Sequence, residues 1–216
     1  MRELKGERLE KEKERLFAMT RYEREYASCG LICGIDEAGR GPFAGPVVAG
    51  AVILPKDCEI LRLNDSKKLS EKVREELFRI IREQALSYGI GIVSPERIDE
   101  INILQATYEA MRQAINQLDK TPDILLNDAV TIPGVEIKQV PIIKGDASSV
   151  SIAAASILAK VTRDHIMLEM EEEYPGYGFA KHKGYGTAQH IEALKRLGPT
   201  KIHRRSFIGK YIPKGS

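Results

Sequence analysis

Asp36 and Glu37 stand side by side where the apolar run Leu31-Ile32-Cys33-Gly34-Ile35 gives way to Ala38-Gly39-Arg40-Gly41-Pro42. Adjacent carboxylates at a strand's end repel each other and add little to a sheet. A divalent cation gives them a purpose, because hard cations are held by carboxylate oxygens. The Gly39-Arg40-Gly41 turn lets backbone and a guanidinium approach a polar group such as a phosphate or a sugar. Two further acids follow apolar segments: Asp128 ends Leu125-Leu126-Asn127-Asp128, and Asp146 ends Lys144-Gly145-Asp146. Ligands of open α/β sheets collect at the carboxyl ends of strands. Four carboxylates converging there repel by an energy on the order of several kcal/mol. Two cations ~3.5–4 Å apart remove that repulsion, activate water and stabilise the leaving oxygen of a phosphodiester. The plainer alternative for each acid is a solvated strand end or, for Asp146 just before Ser148, a helix cap.

The elements that must position these acids follow from periodicity and punctuation. Residues 1–28 are rich in Glu, Lys and Arg, with apolar residues at Leu9, Leu16, Met19, Tyr22 and Tyr26; a peripheral charged helix with a thin apolar stripe is expected over 1–27. Apolar runs predict strands at 31–36, 46–54, 86–93, 123–130 and 138–143. Between them, Ser70 precedes Val73, Leu77, Ile80 and Ile81 at helical spacing, and Ser94-Pro95 opens a helix. A second helix is expected over 104–118, a long one from Ser148 or Ser149 to about Glu173, and a last one over 187–197. The small run Ala153-Ala154-Ala155-Ser156 suits close packing on a sheet. The result is an α/β domain over 29–216, a mixed five-stranded sheet flanked by helices with a helical C-terminal region.

Composition narrows the setting. The 216 residues suit one domain with a sizeable core. No apolar run approaches the ~20 residues that span a bilayer, and the start lacks a signal-peptide pattern, so a cytoplasmic protein is expected. Cys29, Cys33 and Cys58 are odd in number and contain no C-x-x-C pair, which supports neither disulfides nor zinc. His182, His190 and His203 show no zinc-ligand spacing either. Net charge is only +2, yet it is unevenly spread. From Tyr174 onward there are nine cations, Lys181, Lys183, Lys195, Arg196, Lys201, Arg204, Arg205, Lys210 and Lys214, against the single acid Glu192. A basic end on an otherwise acidic chain suits a polyanion at one place and cations at another.

The same residues carry a family resemblance. Gly34-Ile35-Asp36-Glu37-Ala38-Gly39-Arg40-Gly41-Pro42 resembles the signature of bacterial ribonuclease HII. So do Asn64-Asp65-Ser66-Lys67-Lys68-Leu69, Lys144-Gly145-Asp146, the run from Ala153 to Lys160, His182-Lys183-Gly184-Tyr185 and His203-Arg204-Arg205-Ser206-Phe207. Six motifs in order, from about Cys33 to Phe207, make the resemblance specific. It implies a ribonuclease H-like fold, dependence on Mg²⁺ or Mn²⁺, and cleavage of RNA paired with DNA or of single ribonucleotides embedded in duplex DNA. The expected cut lies 5′ of the ribonucleotide and leaves 3′-hydroxyl and 5′-phosphate ends. Carried across, it makes Asp36, Glu37, Asp128 and Asp146 the catalytic metal ligands, Gly39, Arg40 and Gly41 the loop that senses a ribose 2′-hydroxyl, and Tyr185 the aromatic that packs on the next sugar. One departure is Ala129, where many members place Gly after the third acid; it bears on local backbone geometry.

Other contacts stay open at this level. Ser66, Lys67 and Lys68 form either a solvated turn or a phosphate contact. Lys160 and Arg163 suit either substrate or surface pairing with Asp164. Arg204 and Arg205 either bind backbone phosphate or brace the acidic core. Two rival functions remain: another metal-dependent phosphoryl-transfer enzyme with a small substrate, and a non-catalytic duplex-binding protein. The basic tail argues against the first and the clustered acids against the second. A monomer is the default expectation.

Overall fold

Strands β1 (Ile32–Ala38), β2 (Val47–Ile53) and β3 (Ser87–Val93) form an antiparallel meander, and β4 (Ile124–Asp128) and β5 (Lys138–Ile142) continue the sheet parallel to β1. The spatial order is β3-β2-β1-β4-β5, the mixed five-stranded sheet expected. The computed structural model describes residues 4–212, so Lys214 lies outside the described residues. β2 is buried at all seven positions. Its Val47-Val48-Ala49-Gly50-Ala51-Val52-Ile53 sequence carries no polar side chain, as a strand covered on both faces requires. Helix α4 (Pro95–Asn116) covers one face and α5 (Val150–Glu173) the other, with α3 (Glu71–Gln84) packed beside α5.

The contact between α5 and the sheet fixes the centre of the molecule. A Cβ at Gly34 would lie 2.1 Å from the Ser151 carbonyl carbon, and one at Gly50 would lie 2.5 Å from the Ala155 oxygen. Bare strand positions therefore receive the small face Ala153-Ala154-Ala155-Ser156, all of it buried. Ser149 caps α5 by accepting the Ile152 N–H at 3.2 Å. Ser70 occupies the cap position of α3 but makes no side-chain bond there. The two helices expected over 95–118 merge into α4, interrupted at Asn102 (φ 67°, ψ 164°), whose side chain accepts the Leu104 and Gln105 N–H groups and restarts the helix.

The N-terminal helix is two helices, α1 (Glu7–Met19) and α2 (Arg21–Glu25), broken at Thr20. Of the expected apolar stripe, Leu16 and Met19 are buried in the same cluster as α3 and α5, while Tyr22 and Tyr26 pack half-buried on another cluster. Arg15 donates to the Leu63 carbonyl and Glu12 accepts the Arg62 N–H, so α1 also holds the loop after β2. At the other end lie α6 (Phe179–His182), α7 (Ala188–Leu197) and α8 (Arg205–Ile208). Only α7 was foreseen; the other two are single turns, too short for a periodic signal. Among the described residues no helix is long and apolar enough to cross a membrane.

The backbone at Ala129 lies in the left-handed region, with φ +58°. That conformation costs a non-glycine residue ~1–2 kcal/mol. Ala129→Gly relieves it, offset by roughly 0.5–1 kcal/mol of glycine's added chain entropy. The expected outcome is a thermal midpoint raised by about 2 °C. A midpoint that falls would show that Ala129 is not strained.

Candidate active site

β1 pairs with β4 so that Ile35 faces Asn127, which sets Asp36 and Asp128 at the next rung of the ladder. Asp36 lies within β1 and Asp128 ends β4. Asp146 departs from expectation: it stands in a short 3-10 turn, 145–147, between β5 and α5 rather than at the strand's end. It does not cap α5, since Ser149 does. One carboxylate oxygen from each of Asp36, Asp128 and Asp146 lies within 4.8 Å of the others. Glu37, the next residue on the strand, turns to Arg40, whose guanidinium donates to it at 3.3 Å.

Each acid is held from behind. Asp36 accepts the Glu37 N–H at 2.7 Å and the Ser156 hydroxyl, and Ser156 lies 2.9 Å from Ser66 Oγ. Asp128 accepts the Gly145 N–H at 2.8 Å. Asp146 lies beside Asp65 and 3.7 Å from the Lys67 ammonium. Burial pushes the Asp36 carboxyl well above the usual carboxylate range, and the charges of Glu37 and Asp128 push it further. Burial also raises Glu37 and Asp146, opposed by Arg40 and Lys67 respectively. Lys67 is held above its ordinary value despite partial desolvation beside the acids, because Asp146, Asp36, Asp65 and Asp128 all favour its charge. A concentration of buried oxygen donors with incomplete neutralisation is what a hard divalent cation fits.

The loop after β1 is fixed by two buried arginines. Arg163 of α5 donates to the carbonyls of Pro46, Ala44 and Lys183, each at 3.0 Å. Arg204 donates to Gly45 and Arg40 at 3.0 Å and to Gly39 at 2.6 Å. Burial lowers both guanidiniums, to about 10 and about 9, which leaves them charged at neutral pH. Gly39 has φ +96°, and a Cβ there would meet Arg163 Nε at 2.2 Å. Gly41 is different: a Cβ there would touch only Tyr185 Cε1, at 3.8 Å. The Tyr185 ring is therefore a neighbour of the 39–41 loop, and it is 46% exposed.

A model of the family described as Ribonuclease HII matches residues 33–210. The chain belongs to the ribonuclease HII family. It is 66% identical over 202 residues to a ribonuclease HII of Lachnoclostridium phytofermentans, covering 94% of this chain and 80% of that one. It is 60% identical over 206 residues to a ribonuclease HII of Clostridioides difficile, covering 94% and 81%. The fold resembles the crystal structure of ribonuclease H2 from Pyrococcus horikoshii, with a TM-score of 0.70 and 31% identity over 84% of this chain and 96% of that one. The chain is thus a ribonuclease H-type endonuclease. Its family depends on divalent metal and acts on RNA–DNA hybrids.

Several expected substrate contacts turn inward. Arg204 is fully buried and its guanidinium serves loop carbonyls, so it is a brace, while Arg205 is exposed. Ser66 is buried against Ser156; Lys67 and Lys68 are exposed. Arg163 is 1% exposed and braces the loop, and Lys160 pairs with Asp164 at 2.6 Å. Ser156 and Asp65 were not expected as neighbours of the acids. Ser156 stood in a small-residue run whose packing role was legible, but its hydroxyl's partner was not.

Asp36→Asn is expected to raise the thermal midpoint in chelator at pH 7–8, by at least roughly 2 °C. The sign follows from the raised carboxyl: ionising Asp36 in the fold is unfavourable, so wild type loses stability as pH rises through its folded value. The advantage of the variant should shrink toward pH 4. Adding Mn²⁺ should stabilise wild type and not the variant; an equal response from both would remove Asp36 from the metal site.

Proposed function

We propose that this protein cuts the phosphodiester on the 5′ side of a ribonucleotide, within an RNA strand paired with DNA or singly embedded in duplex DNA. The products carry 3′-hydroxyl and 5′-phosphate ends. The observation that supports this reading is the convergence of Asp36, Asp128 and Asp146 on a strand that runs directly into the loop beside Tyr185. Asp36, Glu37, Asp128 and Asp146 would hold two cations, Mn²⁺ or Mg²⁺. Bound there, the cations supply Lewis acidity toward the phosphate and lower the pKa of water.

The chain's own residues do the positioning. The Ser66–Ser156 pair orients Asp36, and the Gly145 N–H orients Asp128. Lys67, with its side chain 77% exposed, is placed to meet a phosphate while its charge balances Asp146. Gly41 carries no side chain to bar a sugar edge, and the carbonyls of Gly39 and Arg40 are pinned by Arg204. A 2′-hydroxyl both donates and accepts hydrogen bonds, and a deoxy sugar leaves polar groups built for it unpaired. Tyr185 then packs on the following sugar and favours a deoxyribose at the RNA-to-DNA junction. The exposed cations Lys67, Lys68 and Arg205 suit a long polyanion better than a small phosphomonoester.

With Mn²⁺ or Mg²⁺, an all-DNA duplex should stay intact, and one embedded ribonucleotide should make it a substrate by a factor on the order of 10⁴. Tyr185→Ala should slow cutting at the single ribonucleotide more than cutting within a long RNA–DNA hybrid. Initial rates on the three duplexes check both points. Cutting of all-DNA duplex would sink the ribonucleotide-sensing reading, and equal losses on the other two would take junction reading away from Tyr185.

A further inference from the structure

Three histidines with no common spacing meet in one buried cluster. His182 ends α6, His190 lies in α7 and His203 precedes α8. His182 and His190 stack with centroids 4.6 Å apart and planes 14° from parallel. His190 Nε2 lies 3.0 Å from His203 Nε2. The Phe179 ring packs against all three.

The partners of the rings decide where the protons are. His203 Nδ1 accepts the Thr200 backbone N–H at 2.9 Å, so a neutral His203 carries its proton on Nε2. His190 Nδ1 faces the Tyr185 carbonyl at 3.0 Å. A carbonyl only accepts, so His190 is protonated on Nδ1 and its Nε2 is an acceptor. The two assignments agree: His203 Nε2–H donates to His190 Nε2. His182 is fixed in the same way, accepting the Gly184 N–H on Nδ1 at 3.2 Å and donating from Nε2 to the Tyr177 carbonyl at 2.8 Å. All six ring nitrogens are engaged with the rings neutral, which leaves none for a metal. Burial lowers His190 and takes His203 down to about 3, in keeping with neutral rings.

The relay runs from Thr200 through His203 and His190 to the Tyr185 carbonyl. That peptide also accepts the Thr187 N–H at 2.8 Å, and the Tyr185 N–H donates to the His182 carbonyl at 2.9 Å. The far end adjoins Arg204, whose guanidinium holds the Gly39 and Arg40 carbonyls and whose N–H donates to Phe43. The hydrogen bond between the two imidazoles thus adds a side-chain tie between the segment that carries Tyr185 and the segment that braces the 39–41 loop, beside the Phe43 and Ala44 N–H bonds to the Gly184 carbonyl. A shared polar network of this kind has one satisfied arrangement, and that is what sets a side chain's position.

We propose that His190 and His203 are positioning residues whose single shared proton seats Tyr185 against the 39–41 loop and thereby sets the preference for a lone ribonucleotide over a continuous RNA strand. This rests on the reading of Tyr185 given under Proposed function. At position 190 an Asn amide reaches the place of Nδ1, and a Gln amide the place of Nε2. His190→Asn keeps the bond to Tyr185 and loses His203; His190→Gln keeps His203 and loses Tyr185. Both variants lose one partner and the ring stacking, so a merely structural role predicts the same behaviour for the two.

The readout is the ratio of kcat/KM on duplex DNA with one ribonucleotide to kcat/KM on a long RNA–DNA hybrid. His190→Gln should lower that ratio about fivefold, the size of one hydrogen bond, and His190→Asn should hold it within roughly twofold. Equal ratios in the two variants, or a wild-type ratio in His190→Gln, overturn the proposal. Tyr185→Ala run alongside separates the failures. If it changes the ratio and the His190 variants do not, only the relay falls; if it does not change the ratio, the Tyr185 reading falls and the proposal with it. Nitrogen-15 imidazole spectra of wild type at pH 7 need no variant to fold. They should show His190 protonated on Nδ1 and His203 on Nε2, and the reverse tautomers overturn the relay.

Discussion

Carboxylates at contact distance repel, and this fold holds Asp36, Asp128 and Asp146 within 4.8 Å of one another all the same. The restraint comes from packing. Parallel pairing of β1 with β4 brings the first two acids to the same rung, just past Ile35 and Asn127, and the close seat of α5 on Gly34 and Gly50 lowers Ser156 onto Asp36. A larger residue at Gly34 or Gly50 would lift α5 from the sheet. Ser156 would leave Asp36, and the turn that leads Asp146 into α5 would shift. The apolar core thus holds in place an electrostatic arrangement that charge alone would disperse.

The loop after β1 depends on a second buried-charge arrangement. Arg163 and Arg204 enter the interior with no carboxylate bonded to either guanidinium among the described residues; backbone carbonyls take their N–H groups instead. A guanidinium presents five donors in a fixed fork, so each arginine gathers three carbonyls that would otherwise splay. Loops 39–46 and 183–185 are joined by Arg163 and by the Phe43 and Ala44 N–H groups, which donate to the Gly184 carbonyl, without any regular secondary structure. Removing either side chain leaves several buried carbonyls unpaired, which is more damaging than loss of one surface ion pair.

The acids were legible in the sequence because their neighbours were informative: apolar runs before Asp36 and Asp128, a glycine turn after Glu37. The strands and the long helices were legible for the same reason, since their periods and caps are local. What could not be read was which partner a polar side chain would choose across the fold. Arg204 and Arg205 are adjacent and chemically alike, yet one is fully buried and the other exposed. Ser66 and Ser156 are 90 residues apart and meet in the interior. His182, His190 and His203 had spacings that fit no metal site, and their convergence is created by the single turn α6, the start of α7 and the segment before α8, of which only α7 carries a periodic signal.

The pairing of Ile32 with Ile124 joins segments separated by most of a hundred residues. Synthesis proceeds from the N-terminus, so the β1–β3 meander is complete in sequence long before β4 exists. Closing so long a loop is entropically unfavourable until the parallel strands and α5 reward it together. The acids on β1 and β4 therefore remain apart through most of translation. A nascent chain shorter than Asp146 cannot bring the three acids together, and Ser156, whose hydroxyl bonds Asp36, follows later still on α5.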